Sequence, residues 1–185
     1  MIARTESNCQ TEIQPIHTVQ ALDWRELLSA STLNLAELLS QLKLTYDDFI
    51  LNYDDPLDSN PRDFPIRAPA PYIARIKKGD INDPLLRQIL PLEKEHDLMP
   101  GYTDDPLGEK DYNVAPGLIH KYRSRALLIV TQACAIHCRY CFRREFPYAE
   151  NQAWRINWPL TVERLRADLS LSEIILSGGD PLTLD

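Results

Sequence analysis

The 185-residue sequence lacks any long hydrophobic run, since its longest aliphatic stretch is the five residues from Ala126 to Val130. A membrane-spanning helix needs about 20 apolar residues, so a membrane protein is excluded. Met1 to Ile13 also lack the apolar segment of a secretory signal. Positive charge is scarce, with 20 Lys and Arg against 27 Asp and Glu, which argues against non-specific nucleic-acid binding. We therefore predict a cytoplasmic protein whose thiols stay reduced.

Cysteine is also rare, and its distribution excludes a disulfide framework. Of the four cysteines, Cys9 stands alone in a polar segment, whereas Cys134, Cys138 and Cys141 fall within eight residues. A disulfide-stapled fold would spread its cysteines along the chain. The cluster therefore indicates metal or redox chemistry, and Cys9 is interpreted as incidental.

The pattern before residue 118 predicts a polar leader over 1–20 and a mainly helical region over 21–117. Leucines recur at helical spacing from Leu35 to Leu42, with Asn34 as the N-cap. Ten of the fourteen prolines lie between Asp54 and Pro116, among short apolar pairs. We predict short helices on proline-stiffened turns that lie over another surface, with a partly disordered linker as the alternative.

From residue 118 to 185 the pattern changes to α/β. The aliphatic run from Ala126 to Thr131 predicts a buried strand, Thr161 to Leu169 a helix, and Ser172 to Ser177 a second strand. Strand, loop, helix and strand form one βαβ unit, which implies a parallel sheet or barrel. Active sites in such folds form at the carboxyl ends of strands. The cysteines and the segment from Gly178 to Pro181 both follow a strand directly.

The spacing Cys134-x-x-x-Cys138-x-x-Cys141 supplies three soft thiolate ligands on one loop. An iron–sulfur cubane ordinarily takes four thiolates, so three would leave one iron open to a small molecule. Zinc is the alternative, with His137 or His120 completing a Cys₃His site. Structural zinc loops usually pair two C-x-x-C units from separate segments, and only one such spacing occurs here, which favours the cluster.

With Tyr140 before the third cysteine, this motif resembles that of the radical S-adenosylmethionine superfamily. The segment from Ser177 to Asp180 is similar to the superfamily's Gly-Gly-Glu/Asp element, although it could also be an ordinary turn. The resemblance implies a [4Fe–4S] cluster on the three cysteines and a partial (β/α) barrel that this chain would contain only in part. It also implies S-adenosylmethionine near five residues, which are Tyr140, Ser177, Gly178, Gly179 and Asp180.

Six basic residues against one acid give the segment from Lys121 to Glu145 a net charge of +5. Arginine suits carboxylate and phosphate groups, although a solvated basic face is the plainer interpretation for any one of them. The motifs His120-Lys-Tyr-Arg-Ser-Arg125 and Phe142-Arg-Arg144 resemble those of lysine 2,3-aminomutases. That family implies pyridoxal phosphate near Lys121, Tyr122 and Arg125, and the substrate α-carboxylate on Arg143.

The resemblance implies an isomerase that moves the amino group of L-lysine from C2 to C3 through a 5′-deoxyadenosyl radical. The segments 80–88, 103–107 and 141–152 look most like the branch that makes (R)-β-lysine for modification of elongation factor P. A reductant such as flavodoxin or ferredoxin and a homo-oligomer are also expected. An aminomutase acting on glutamate and a non-catalytic zinc module are the alternatives.

The chain is shorter than this resemblance requires. No lysine follows Lys121, so we expect the pyridoxal-binding lysine and the acids for the substrate's ε-ammonium to lie beyond Asp185. A full (β/α)₈ barrel needs about 200–250 residues. The chain is therefore interpreted as part of a longer enzyme and is expected to be inactive by itself.

Overall fold

The structure, a computed structural model, describes residues 23–52, 55–61, 64–103, 105–151 and 158–184. The predicted leader over 1–20 and Cys9 lie outside these residues. Within them the chain is mixed α/β, as the sequence predicts. The described part contains no helix that is long and apolar enough to cross a membrane.

Short helices dominate the first half of the chain, with a two-stranded antiparallel sheet between them. In chain order the elements are α1 (Trp24–Ser29), β1 (Thr32–Leu33), α2 (Leu35–Gln41), α3 (Tyr46–Asn52), β2 (Ile66–Arg67), α4 (Ala70–Ile73) and α5 (Pro84–Ile89). Two 3₁₀ helices follow, over Glu93–His96 and Glu109–Tyr112.

The predicted leucine helix is confirmed as α2, together with its N-cap. The Asn34 side chain accepts a hydrogen bond from the Glu37 amide at 2.9 Å, and the Glu37 carboxylate accepts one from the Asn34 amide at 3.0 Å. This reciprocal capping box satisfies two amides that the first turn would otherwise leave unpaired. Leu38 and Leu42 are fully buried, so the leucine face packs into the larger core of the molecule.

The proline-rich stretch forms ordered short helices where it is described. Helix α5 begins with Pro84, whose fixed φ suits the first turn, and Asp83 caps it by accepting from the amides of Leu85 and Leu86 at 2.8 and 3.1 Å. Leu86 and Ile89 are fully buried. The prediction of short helices on proline turns is therefore confirmed for the described residues.

The second half of the chain builds a four-stranded sheet in the order β3-β4-β5-β6. Its strands are β3 (Asn113–Ala115), β4 (Leu118–Tyr122), β5 (Arg125–Thr131) and β6 (Glu173–Gly178). Strands β5 and β6 are parallel, and α6 (Trp158–Ala167) lies between them in the chain. The predicted βαβ unit is confirmed, although α6 begins three residues before the predicted Thr161.

The sheet is mixed rather than all parallel, because β4 pairs antiparallel with both β3 and β5, and among the described strands only β5 and β6 are parallel. The hairpin formed by β4 and β5 was not predicted from the sequence. Strands β4 and β5 are joined through Arg123 and Ser124, which carry none of the Asn-Gly signals of a tight hairpin turn. The described strands form an open sheet, so the partial barrel stays a prediction.

Candidate functional site

The two predicted motifs lie side by side because parallel strands end at the same edge of a sheet. The cysteine loop begins after Thr131 at the end of β5, and the Gly-Gly-Asp segment begins with Gly178, the last residue of β6. The Gly179 amide donates to the Thr131 carbonyl at 2.7 Å, and the Asp180 amide donates to the Ala133 carbonyl at 2.8 Å. Backbone hydrogen bonds thus join the two loops directly.

The glycine pair is required by this close approach of two backbones. A Cβ on Gly178 would lie 2.2 Å from the Thr131 oxygen, and a Cβ on Gly179 would lie 2.2 Å from the Ala133 oxygen. Gly178 also has a φ of +116°, which favours glycine. Gly178 and Gly179 therefore allow β6 to pack closely against the cysteine loop, whether or not they also contact a ligand.

Cys134, Cys138 and Cys141 all line one cavity of about 480 Å³ and are half-buried free thiols. Burial raises the pKa of Cys134, and the neighbouring Cys141 and Asp180 raise it further. Three thiolates so close together would repel one another, so a bound cationic group would stabilise their ionised forms. A soft donor set on one cavity wall fits an iron–sulfur cluster.

The zinc alternative has no converging ligand set. Among the described residues, no three His, Cys, Asp or Glu side chains meet as ligands of a single ion. His137 hydrogen-bonds the Pro65 carbonyl through Nδ1 at 2.9 Å and stacks on Phe64, while His120 lies 3.7 Å from Asp168. A cubane would take one thiolate on each of three irons, and the three cysteines line the same cavity.

A partly buried ion-pair network holds the cysteine loop on the helical region. The Arg139 guanidinium donates to both oxygens of Glu95, with Nε to Oε1 at 2.9 Å, and to the Phe64 carbonyl at 2.6 Å. Arg144 pairs with the same Glu95 carboxylate, and both guanidinium groups lie about 5 Å from the Phe64 ring. The loop is therefore fixed to the first half of the chain.

The Glu95 carboxylate is held ionised by this network. Burial by itself would raise the pKa of Glu95, but hydrogen bonds from Arg139 and the Leu92 amide lower it below its usual value. The sequence analysis assigned these arginines to bound anions and did not single out Glu95. No local signal could have paired residues 44 and 49 positions apart.

The structure brings together the four residues that the sequence analysis assigned to pyridoxal phosphate and substrate. Lys121, Tyr122, Arg125 and Arg143 all line a second cavity of about 220 Å³. The Lys121 ammonium donates to the Leu107 carbonyl, and Arg125 forms a half-exposed ion pair with Glu173 at 3.1 Å. Three cations thus lie around one space that suits an anion such as a phosphate.

Arg143 is buried, and its guanidinium is already held by a carboxylate. Its Nε and Nη2 donate to the two oxygens of Glu109 at 2.9 and 2.7 Å, and Nη1 donates to the Ser177 hydroxyl at 2.6 Å. Ser177, which the resemblance assigned to S-adenosylmethionine, thereby links β6 to Arg143. Glu109 is a functional candidate that the sequence analysis missed.

Of the other predicted residues, Tyr140 is highly exposed and Asp180 lines a different cavity, next to Trp24 and Thr183. Tyr140 is 70% exposed and donates its hydroxyl to the Gln88 side chain at 3.2 Å. The Asp180 carboxylate accepts from the Leu182 amide at 3.0 Å and caps a 3₁₀ helix over Pro181–Thr183. Tyr148, which the sequence analysis did not select, lines the cysteine cavity, and burial raises its pKa to about 12.

Comparison with known proteins identifies relatives of the chain. A protein named L-lysine 2,3-aminomutase from Escherichia coli K12 is 43% identical over 170 residues, which are 92% of this chain and 48% of the relative. The sequence is related to the L-lysine 2,3-aminomutases. The protein of that name from Haemophilus influenzae is 38% identical over 86% of this chain and 46% of its own length.

A more distant L-lysine 2,3-aminomutase, from Clostridium subterminale, is 33% identical over 60% of this chain. No family model matches the sequence. The chain spans about half the length of the Escherichia coli and Haemophilus influenzae proteins. The resemblance that the motifs indicated is therefore confirmed by similarity along most of the chain.

Proposed function

We propose that this chain is part of an isomerase that moves the amino group of L-lysine from C2 to C3 and yields (R)-β-lysine. The observation that carries the proposal is the junction of the cysteine loop with the Gly-Gly-Asp segment at the carboxyl ends of β5 and β6. The names of the relatives support the reaction and substrate. Supply of β-lysine for elongation factor P in the cytoplasm belongs to the same proposal.

In this proposal Cys134, Cys138 and Cys141 would hold a [4Fe–4S] cluster. With S-adenosylmethionine, for which Tyr140 and the segment 177–180 are the candidate contacts, the cluster when bound supplies the one-electron chemistry that starts a radical rearrangement. The protein's own part is to hold three thiolates on one cavity wall and to keep that wall rigid. Glu95 contributes through Arg139 and Arg144, which fix the loop on both sides of Cys141.

A second part of the site concerns pyridoxal phosphate. Lys121, Tyr122 and Arg125 would lie next to the cofactor, which when bound would supply a conjugated ring that can stabilise an unpaired electron. Arg143 would bind the substrate α-carboxylate. The anchoring lysine and the further strands of a partial barrel are proposed to belong to the length that the relatives have in addition to this chain. A small electron carrier such as flavodoxin or ferredoxin would reduce the cluster.

Two measurements on the full-length protein test the proposal. Anaerobic reconstitution with iron and sulfide should yield about four irons and a brown chromophore. One tightly bound zinc instead would support a structural Cys₃His module and remove the radical mechanism. Incubation of the loaded protein with lysine and with glutamate should give β-lysine only, whereas β-glutamate without β-lysine would replace the proposed substrate.

A further inference from the structure

Glu109 is a buried carboxylate to which the proposed function assigns no role. Its side chain is 8% exposed, that of Arg143 is 6% exposed, and they form a two-point ion pair at 2.9 and 2.7 Å. Burying one charge without a partner costs several kcal/mol, so each group stabilises the other in place. Glu109 begins a 3₁₀ helix, and its amide is itself fixed by the Asp105 carboxylate at 2.9 Å.

The contacts of Arg143 use only part of its binding capacity. A guanidinium carries five N–H donors. Glu109 takes one from Nε and one from Nη2, and Ser177 takes one from Nη1. Among the described residues no other group accepts a hydrogen bond from this guanidinium, so one donor on each terminal nitrogen is left, and such donors can bind a second carboxylate.

The ion pair of Glu109 and Arg143 faces a cavity in which neither of the two charges dominates. Glu109 and Arg143 both line the cavity of about 220 Å³, and their charges cancel. Lys121 and Arg125 line the same cavity, but the proposed function assigns them to pyridoxal phosphate and Arg125 is paired with Glu173 at 3.1 Å, so neither is counted toward the substrate carboxylate. A carboxylate that reached Arg143 would therefore enter a site that is not dominated by the charge of Glu109.

We infer that Glu109 is a positioning residue for the substrate carboxylate. It holds the Arg143 guanidinium from one side, Ser177 holds it from another, and the two remaining donors are left to the carboxylate of an amino acid. This inference rests on the proposed function, because it takes the substrate to be an α-amino acid. It assigns to Glu109 no contact with the substrate itself.

The opposite role would be a gate. If the Glu109 carboxylate occupied the substrate's own place on Arg143, the substrate would have to displace it. The two roles predict opposite effects of removing the charge. Loss of a positioning carboxylate weakens substrate binding, whereas loss of a competing carboxylate strengthens it.

The test uses Glu109→Gln in the full-length protein. Glutamine keeps the size and shape of the glutamate side chain, but it offers only one acceptor oxygen to the Arg143 guanidinium. We expect the lysine Kd, measured by calorimetry on the anaerobic holoenzyme, and the KM to rise about tenfold, the equivalent of one charge-assisted hydrogen bond. Iron per chain should equal that of the unchanged protein. Glu109→Asp, which keeps both oxygens, should recover part of the affinity.

Asp111→Asn is the matched control, since Asp111 is an exposed acid on the same 3₁₀ helix and the change removes the same charge. It should leave Kd, KM and iron content unchanged. Unchanged or tighter lysine binding by Glu109→Gln would overturn the inference, as would a loss of iron from both Glu109 variants. Failure of the unchanged protein to form β-lysine would instead overturn the proposed function.

Discussion

At the scale of single residues, the three cavity cysteines are predicted to be individually indispensable. In Cys138→Ala only two thiolates remain, and two cannot hold a cubane that already has one open iron. We expect iron and acid-labile sulfide to fall below about one tenth of the unchanged level after anaerobic reconstitution. Cys9→Ala is the control and should retain all its iron. A full iron complement in Cys138→Ala would contradict the assignment of these ligands.

Arg143→Lys separates charge from geometry at the proposed carboxylate site. Lysine keeps the positive charge, but its compact ammonium cannot make the two-point contact with Glu109 and still present a pair of donors. We expect the lysine KM of the full-length enzyme to rise at least about tenfold, for the loss of one or more charge-assisted hydrogen bonds. Iron content should not change. An unaltered KM would remove Arg143 from the substrate site.

At the scale of secondary-structure elements, Gly179 sets how closely β6 approaches the cysteine loop. In Gly179→Ala the new Cβ would meet the Ala133 carbonyl at 2.2 Å, and backbone on both sides would have to move. We expect a loss of about 1–3 kcal/mol in the free energy of unfolding, from urea midpoints, and a lower iron content. Gly79→Ala is the control, because Gly79 has a φ of +74° but open space around its Cβ position. Gly79→Ala should lower the free energy of unfolding by only about 1 kcal/mol and leave the iron content unchanged.

The anchoring of the cysteine loop by Glu95 should depend on pH. Because the folded protein lowers the pKa of Glu95 from 4.5, the carboxylate stabilises the fold above pH 4.5 and this stabilisation is lost as pH falls through the folded pKa. At pH 7, Glu95→Gln should destabilise the protein by about 2 kcal/mol, since it leaves two partly buried guanidinium groups poorly paired. The difference from the unchanged protein should shrink below pH 4.5.

Glu93→Gln controls for the loss of one negative charge on the same 3₁₀ helix, where Glu93 is exposed. It should change the free energy of unfolding by no more than about 0.5 kcal/mol. If Glu95→Gln stays equally destabilising at pH 7 and at pH 3.5, the carboxylate charge is not what anchors the loop.

Sequence patterns within a few residues correctly predicted the helices and strands whose formation depends on neighbouring residues. The Asn34 cap, the leucine face of α2 and the aliphatic β5 follow from spacing within a few residues, and the structure has each of them. The hairpin of β4 with β5 has a turn without glycine or asparagine, so it left no pattern to detect. Element boundaries differ from the predictions by up to three residues, as at the start of α6.

At the scale of the whole molecule, the sequence offered candidate site residues but did not show which protein groups contact them. The cysteines, the glycine pair and the basic residues were visible because their chemistry lies in short motifs. The partners of the buried arginines were not, because Glu95 and Glu109 lie 34 to 49 positions away in the chain. Only the folded arrangement shows that these arginines meet protein carboxylates before they meet any ligand.

Strand β6 forms an edge of the four-stranded sheet and carries exposed apolar side chains. Among the described strands, β6 pairs only with β5, and Ile174 and Leu176 are 45% and 56% exposed. An unpaired edge strand with apolar side chains is a template for association. We expect the 185-residue chain to self-associate in light scattering, and Ile174→Lys with Leu176→Lys to weaken that association about 100-fold, since each buried aliphatic side chain contributes roughly 1.5–3 kcal/mol.

The matched control places two lysines at Leu98 and Met99, which are exposed on a loop, and should leave association unchanged. The full-length protein gives the discriminating comparison. If further barrel strands cover β6 there, the Ile174 and Leu176 double variant should lower the melting temperature by several degrees, because two charges would then be buried. An unchanged melting temperature would mean that this edge stays open, and the proposed continuation of the barrel beyond β6 would be wrong.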